Sequence, residues 1–235
     1  MAPGTPRAPV AAPPACLRYV GTTVAPLTFD HAMAGLPKIA PKSEFESTAD
    51  YQARVSAARS DPTLIIQKPL KSKIPYNADK RQFEIPSTAF GWPTEGGNII
   101  VSGSYRTTGS YVVGSNAFGV KVQVSRGEMT FKTLSHRLGH GAGIFPSFKF
   151  GDNLDAVPAN PDEARRLQSQ FQLAFVVHPK PPYQKREVLP GSTATITHLE
   201  DVLNIELTLV SDVECGLLLD GANKVIRAYA AQPPT

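Results

Sequence analysis

Val120-Lys121-Val122-Gln123-Val124-Ser125 alternates apolar and polar side chains without a break. Successive side chains on a strand point to opposite faces, so this stretch predicts a strand with one buried and one wet face. Working outward, residues 99–105, 111–113, 117–125 and 129–134 read as strand-like runs separated by glycine turns. That is the pattern of an antiparallel meander. Upstream, residues 63–67 are β-branched and apolar. Residues 82–86 alternate through Phe83 and Ile85, after a turn at Asn77-Ala78-Asp79. Residues 87–98 hold Gly91, Pro93, Gly96 and Gly97 and form a loop that carries the single tryptophan, Trp92. Downstream, strands are expected at 171–178, ended by Pro179, then at 193–197 and 202–210. A final hairpin is expected from 213–219 through Asp220-Gly221-Ala222-Asn223 to 224–229. Short edge strands at 17–20 and 25–29 precede these elements.

Two helices interrupt the strands. Ser43-x-x-Glu46 and Ser47-x-x-Asp50 both have the form of a capping box, in which side chains satisfy the free amides at a helix start. Tyr51, Val55 and Ala58 then fall at helical spacing and give a narrow apolar stripe, so a helix is expected over 48–59, before Asp61-Pro62. Asn160 caps a second, short helix reaching about Gln168, with Pro161 at its first position and Asp162-Glu163 complementing the helix dipole. The expected fold is α+β: a strand-dominated antiparallel sheet with two short helices.

The 235 residues suffice for one large domain or two small ones. With 41% hydrophobic against 19% charged residues, most of the chain is expected to be globular. The 22 prolines and 18 glycines argue against a helical bundle. Pro3, Pro6, Pro9, Pro13 and Pro14 mark residues 1–16 as a flexible Pro-rich leader. Residues 17–235 then form a single α+β domain with its core over about 42–230. No apolar run approaches the length of a membrane helix, so no transmembrane segment is expected. Ala15-Cys16 has the form of the end of a lipoprotein cleavage site, but Pro13-Pro14 precede it and an apolar stretch is missing. Whether a signal peptide has been removed stays open.

Net charge is +4, only mildly basic. Lys68, Lys71, Lys73, Lys80 and Arg81 gather in one region, interrupted by Asp79 and Glu84, and read as a solvated strand-and-turn surface. No nucleic-acid partner is expected. The two cysteines, Cys16 and Cys215, sit in no metal-binding spacing. Because Cys16 lies in the leader, two unrelated thiols are the favoured reading. A bridge between them would constrain nearly the whole chain and contribute roughly 5 kcal/mol by loop entropy.

His136 and His140 are the strongest candidates for a metal site. Their spacing would place both imidazoles on one helix face, yet the glycines at 139, 141 and 143 oppose a helix, and the glutamate of the HExxH arrangement is missing. A glycine-rich loop with two exposed histidines is the plainer reading. His178 or His198 would supply a third ligand only through a tertiary contact. Gly139-His140-Gly141-Ala142-Gly143 fits no phosphate-loop pattern, and no Gly-x-Ser-x-Gly elbow occurs. Asp152 and Asp155 read as turn carboxylates. Arg54 pairs either with Asp50 one helical turn away or with a carboxylate on the sheet. Trp92, Tyr105, Tyr111, Phe118 and Tyr183 read as core filling rather than as a ligand groove.

Residues 42–54 and 116–119 carry a resemblance. Lys42, Glu44, Phe45, Glu46, Ser47, Ala49, Tyr51, Ala53 and Arg54, with Asn116-Ala117-Phe118-Gly119 further on, resemble an uncharacterised group of bacterial exported proteins with a K-x-E-F-E-[ST]-x-A-x-[YF]-x-A-R motif. Ser43 stands where glycine is more typical. The resemblance implies a periplasmic or secreted location and brings no catalytic residue. Phe45, Ser47, Asp50, Tyr51, Arg54, Asn116 and Gly119 are accordingly expected to be structural. The expected function is a non-catalytic exported bacterial domain with a binding or structural role in the cell envelope. Its partner would be a protein or envelope component, and no cofactor is expected. A metal-dependent enzyme using His136 and His140, and an interaction protein of the secretion-accessory or immunity type, are the alternatives.

Overall fold

The computed structural model describes residues 14–58, 62–91, 93–94, 96–115, 121–136, 144–145, 152–195 and 198–232. Three helical segments come first: α1 (Pro14–Leu17), α2 (Phe29–Gly35) and α3 (Thr48–Ala57). Strands β1 (Leu64–Lys68), β2 (Tyr76–Asn77) and β3 (Gln82–Pro86) follow, and a 3-10 turn (Ser87–Phe90) leads on towards β4 (Ile99–Ser115) and β5 (Lys121–Ser135). Then come β6 (Asn153–Pro158), α4 (Pro161–Leu167), β7 (Gln172–Leu189), β8 (Glu200–Leu219) and β9 (Val225–Ala230). The fold is α+β and strand-dominated. A large sheet has the order β1-β7-β8-β5-β4, with β9 also on β8, and a small sheet has the order β2-β3-β6.

Local capping signals act where expected. The Ser47 hydroxyl accepts the Asp50 amide at 3.1 Å and starts α3. The Asn160 side chain accepts the Asp162 and Glu163 amides at 3.1 and 2.9 Å and starts α4. An additional helix, α2, occupies a region expected to end an edge strand at Phe29. Thr28 caps it by accepting the His31 amide at 3.2 Å, and Asp30 lies in its first turn.

The expected meander is replaced by one long hairpin. Gly103, Gly109 and Gly127 lie within β4 and β5 rather than between strands, and register shifts at 100/102, 107/109 and 113/115 absorb the irregularity as bulges. β8 likewise fuses the two expected strands at 202–210 and 213–219. β7 continues past Pro179 through a register shift between Pro179 and Gln184. Residues 193–195 are not a strand, whereas Asn153–Pro158, which contains the Asp155 expected in a turn, pairs with β3. The sheet is also mixed: β5 runs parallel to β8, Ser125 beside Glu200 through Ser135 beside Val210. A parallel pair needs a long crossover, and the chain between them carries β6, α4 and β7.

The alternation in β7 sends Leu173, Phe175 and Val177 to one face and Ala174 and Val176 to the other, and all five are buried. On the first face they meet Ile66, Phe83, Ile85, Phe90 and Leu218 in the main core. Rings pack edge to face there, Phe83 on Phe171 at 4.8 Å and Phe90 on Phe145 at 5.0 Å. Gly216 sits beneath them: a Cβ at that position would come within 2.7 Å of Phe145 and 2.8 Å of Phe90. Tyr183 also fills this core, as expected.

The opposite face is covered by the N-terminal segment. Cys16, expected in a flexible leader as an unrelated thiol, is instead buried and bonded to Cys215, closing a separation of 199 residues. Beyond it, the Gly21 amide donates to the Val225 carbonyl at 2.8 Å, and the Val24 amide donates to Asn223 at 3.0 Å. Both faces of this end of the sheet are therefore covered, which explains its continuous apolar runs. Residues 1–13 lie outside the described residues.

Candidate functional site

The motif region around α3 is built as a clasp. Arg54 donates from Nε to Oε1 of Glu46 at 3.0 Å and from Nη2 to Oε2 at 2.9 Å, a two-pronged pairing. Its other contacts are the carbonyls of Ala40 and Pro41 and the Tyr51 ring, whose centroid is 5.2 Å away. Among the described residues neither Asp50 nor a sheet carboxylate is its partner. The Arg54 hydrogen bonds hold the Glu46 carboxyl below its usual range. Tyr51 and Val55 are only half-buried, α3 contains no buried residue, and Phe45 is 91% exposed. Ser43, Glu46, Ser47, Asp50 and Arg54 are thus engaged in capping and in holding residues 40–46 against α3. Asn116, Phe118 and Gly119 lie outside the described residues.

His136 follows β5 and is buried, contrary to the exposed loop position expected for it. The Val213 amide donates to its Nδ1 at 3.4 Å, which leaves the ring proton on Nε2. Nε2 makes no hydrogen bond of good geometry among the described residues, although the Gln232 backbone favours the protonated ring. A metal at Nε2 would move that proton to Nδ1, where it would oppose the Val213 N–H. Burial also lowers the His136 pKa, so the imidazole is neutral at pH 7. His140 and Trp92 lie outside the described residues. His178 is committed to Glu214, with Nε2 at 3.0 Å from Oε2, and exposed His198 lies 3.9 Å from Glu200. Cys16, Glu214 and Cys215 place ligand-type atoms within 4.8 Å of one another, but the two sulfurs are bonded to each other.

The basic region holds an enclosed group. Lys68, expected on a solvated surface, is 3% exposed and lines a cavity of about 80 Å³. Burial, with help from the Lys71 charge, pushes its ammonium down to about 8. The signal was present in the sequence: Leu64, Ile66 and Lys68 share one face of β1 by alternation, and Ile66 is fully buried.

At the far end of the large sheet, polar groups bridge strands. The Tyr105 hydroxyl donates to Glu200, and the Tyr111 hydroxyl donates to Asp201. Arg126 lies over the Tyr111 ring at 4.4 Å. The Tyr111 bond and the Ala194 amide hold the Asp201 carboxyl low. Tyr105 and Tyr111 thus join strands on a wet surface instead of filling the core. Further along β8, buried Glu206 accepts from Asn98 at 2.8 Å and from the Thr133 hydroxyl at 2.9 Å, while Thr208 lies 3.0 Å from Thr133. That satisfied network ties β8 to β5. Asp155, read as a turn carboxylate, lies in β6 and pairs with Arg227 at 3.0 Å. No protein-family model, curated protein or solved structure matches this chain.

Proposed function

We propose that the chain is a non-catalytic domain that works outside the bacterial cytosol, in the periplasm or beyond, through binding or structural interaction at the cell envelope. The observation that carries this reading is the buried Cys16–Cys215 bridge. Structural disulfides persist in oxidising compartments and are rare where thiols are kept reduced. The motif resemblance at residues 42–54 points to the same compartment. A binding role draws support from the far half of the large sheet. Five of the eight exposed large apolar side chains among the described residues, Tyr105, Val112, Val188, Leu199 and Leu203, lie there. By register Tyr105 and Val112 share one face of the sheet and Val188 and Leu203 the other, so each face of this half carries exposed apolar groups available for contact.

Thiol labelling of the protein taken directly from its native cells tests the compartment. The expected result is no labelling under denaturing conditions until a reductant is added, and two labels per chain afterwards. Two free thiols without reductant would remove the main support for export.

A further inference from the structure

Lys68 closes β1 with its side chain turned into the molecule, and nothing described there neutralises it. Its cavity is lined by Lys68, Lys71, Lys73, Ser72 and Thr88 together with apolar and backbone atoms, and no carboxylate lines it among the described residues. An ammonium has three N–H donors. One of them is used on the Pro69 carbonyl at 3.3 Å, and the other two have no partner among the described residues. Burying a cation without a counter-charge is costly, so such a group is ordinarily paired or bound to a ligand. The wall opposite is shaped to leave room. Gly91 has φ +106°, and a Cβ there would come within 2.7 Å of the Ile100 carbonyl oxygen and 3.2 Å of Lys68 Cε. Any larger residue would crowd both the strand and the lysine. Exposed Lys71 and Lys73 add two positive charges on the stretch that follows β1.

We propose that this cavity binds a small oxyanion. Lys68 provides the buried charge, Lys71 and Lys73 draw the ion in, and the Ser72 and Thr88 hydroxyls are the neutral donors. About 80 Å³ is more than twice the ~30 Å³ share of one water in the liquid, which suits an ion or group of phosphate or short-carboxylate size.

Calorimetric titration of the folded protein at pH 7 and low salt, with inorganic phosphate and separately with acetate, tests this. One saturable site is expected for at least one of them, and the arm that saturates distinguishes a tetrahedral from a planar oxyanion. Lys68→Met should weaken binding at least tenfold, and Lys71→Gln with Lys73→Gln severalfold. No saturation by either ion up to roughly 10 mM would overturn the proposal. Undiminished binding by folded Lys68→Met would overturn it as well. A second measurement needs no variant: reductive methylation of the wild-type chain, read by peptide mass spectrometry. Phosphate or acetate should slow modification of Lys68 relative to exposed Lys224, and equal rates with and without the ion would reject the site.

Discussion

Residues 215–219 and 200–204 belong to the same strand, β8, yet they occupy opposite physical regimes. All of 215–219 are buried, between the aromatic core on one face and the disulfide-anchored N-terminal segment on the other. None of 200–204 is buried, and their cross-strand contacts include the Tyr105–Glu200 and Tyr111–Asp201 hydrogen bonds. β8 is hydrogen-bonded along both halves, to β5 over 200–210 and to β7 and β9 over 215–219. What differs is the covering layer, so the near half is stabilised by packing and the far half by its ladder and exposed polar pairs. Exposed pairs are worth little, typically under about 1 kcal/mol. The far half can therefore be altered at small cost to folding, a property that suits a surface used for contact.

The largest break in this contrast is expected from the near half. Phe175→Ala should cost about 3–5 kcal/mol, read as a fall in the denaturation midpoint at unchanged slope, because the side chain is fully buried among Phe90 and its neighbours. Replacing both cysteines, Cys16→Ser with Cys215→Ser, should cost about 2–5 kcal/mol. It should also raise amide exchange first in residues 16–24, which depend on the bridge to stay on the sheet. Equal exchange there and in the far half would contradict the anchoring role.

Acid should reveal the buried imidazole at the near end. The folded-state pKa of His136 lies below its ordinary 6.5, so the unfolded chain binds more protons. Stability is then full above about pH 6.5 and is lost as pH falls below it. The Gln232 backbone and, to a lesser extent, the Asp212 charge oppose part of this shift. The His136→Gln variant should lose that dependence between pH 7 and 5, and a variant with the wild-type slope would assign the effect elsewhere. The smallest effect is expected in the far half. Arg106→Ala removes an exposed pair with Glu128 at 3.0 Å and should change stability by less than about 1 kcal/mol. A loss as large as that of Phe175→Ala would erase the distinction between the halves.

Signals carried by neighbouring residues were legible. The Ser47 and Asn160 caps, the alternation in β3 and the final turn all act within a few positions. In that turn Asp220 accepts the Ala222 and Lys224 amides, each at 2.9 Å. Thr28 followed by Asp30 was an equally local signal for α2, hidden by the strand-like run before it. The glycines of β4 and β5 misled for a physical reason: a bulge and a turn draw on the same residue, and only the partner strand shows which one forms. For the site, alternation along β1 could have marked Lys68 as inward-facing. Its cavity arises only when residues 71–73, 86–91 and 100 converge on it. The partner of Arg54 was likewise a matter of how residues 40–46 fold back onto α3.

By itself, the chain's sequence determined the α+β class, the two capped helices and most strand positions, because capping and alternation are short-range and repeat with fixed periods. The tertiary structure decided the parallel pairing of β5 with β8, the Cys16–Cys215 bridge, and the burial of Lys68 and His136. Each of these rests on contacts between residues far apart in the chain. Such contacts depend on the closure of long loops and on which face each neighbour covers, and neither is written in any local window of residues.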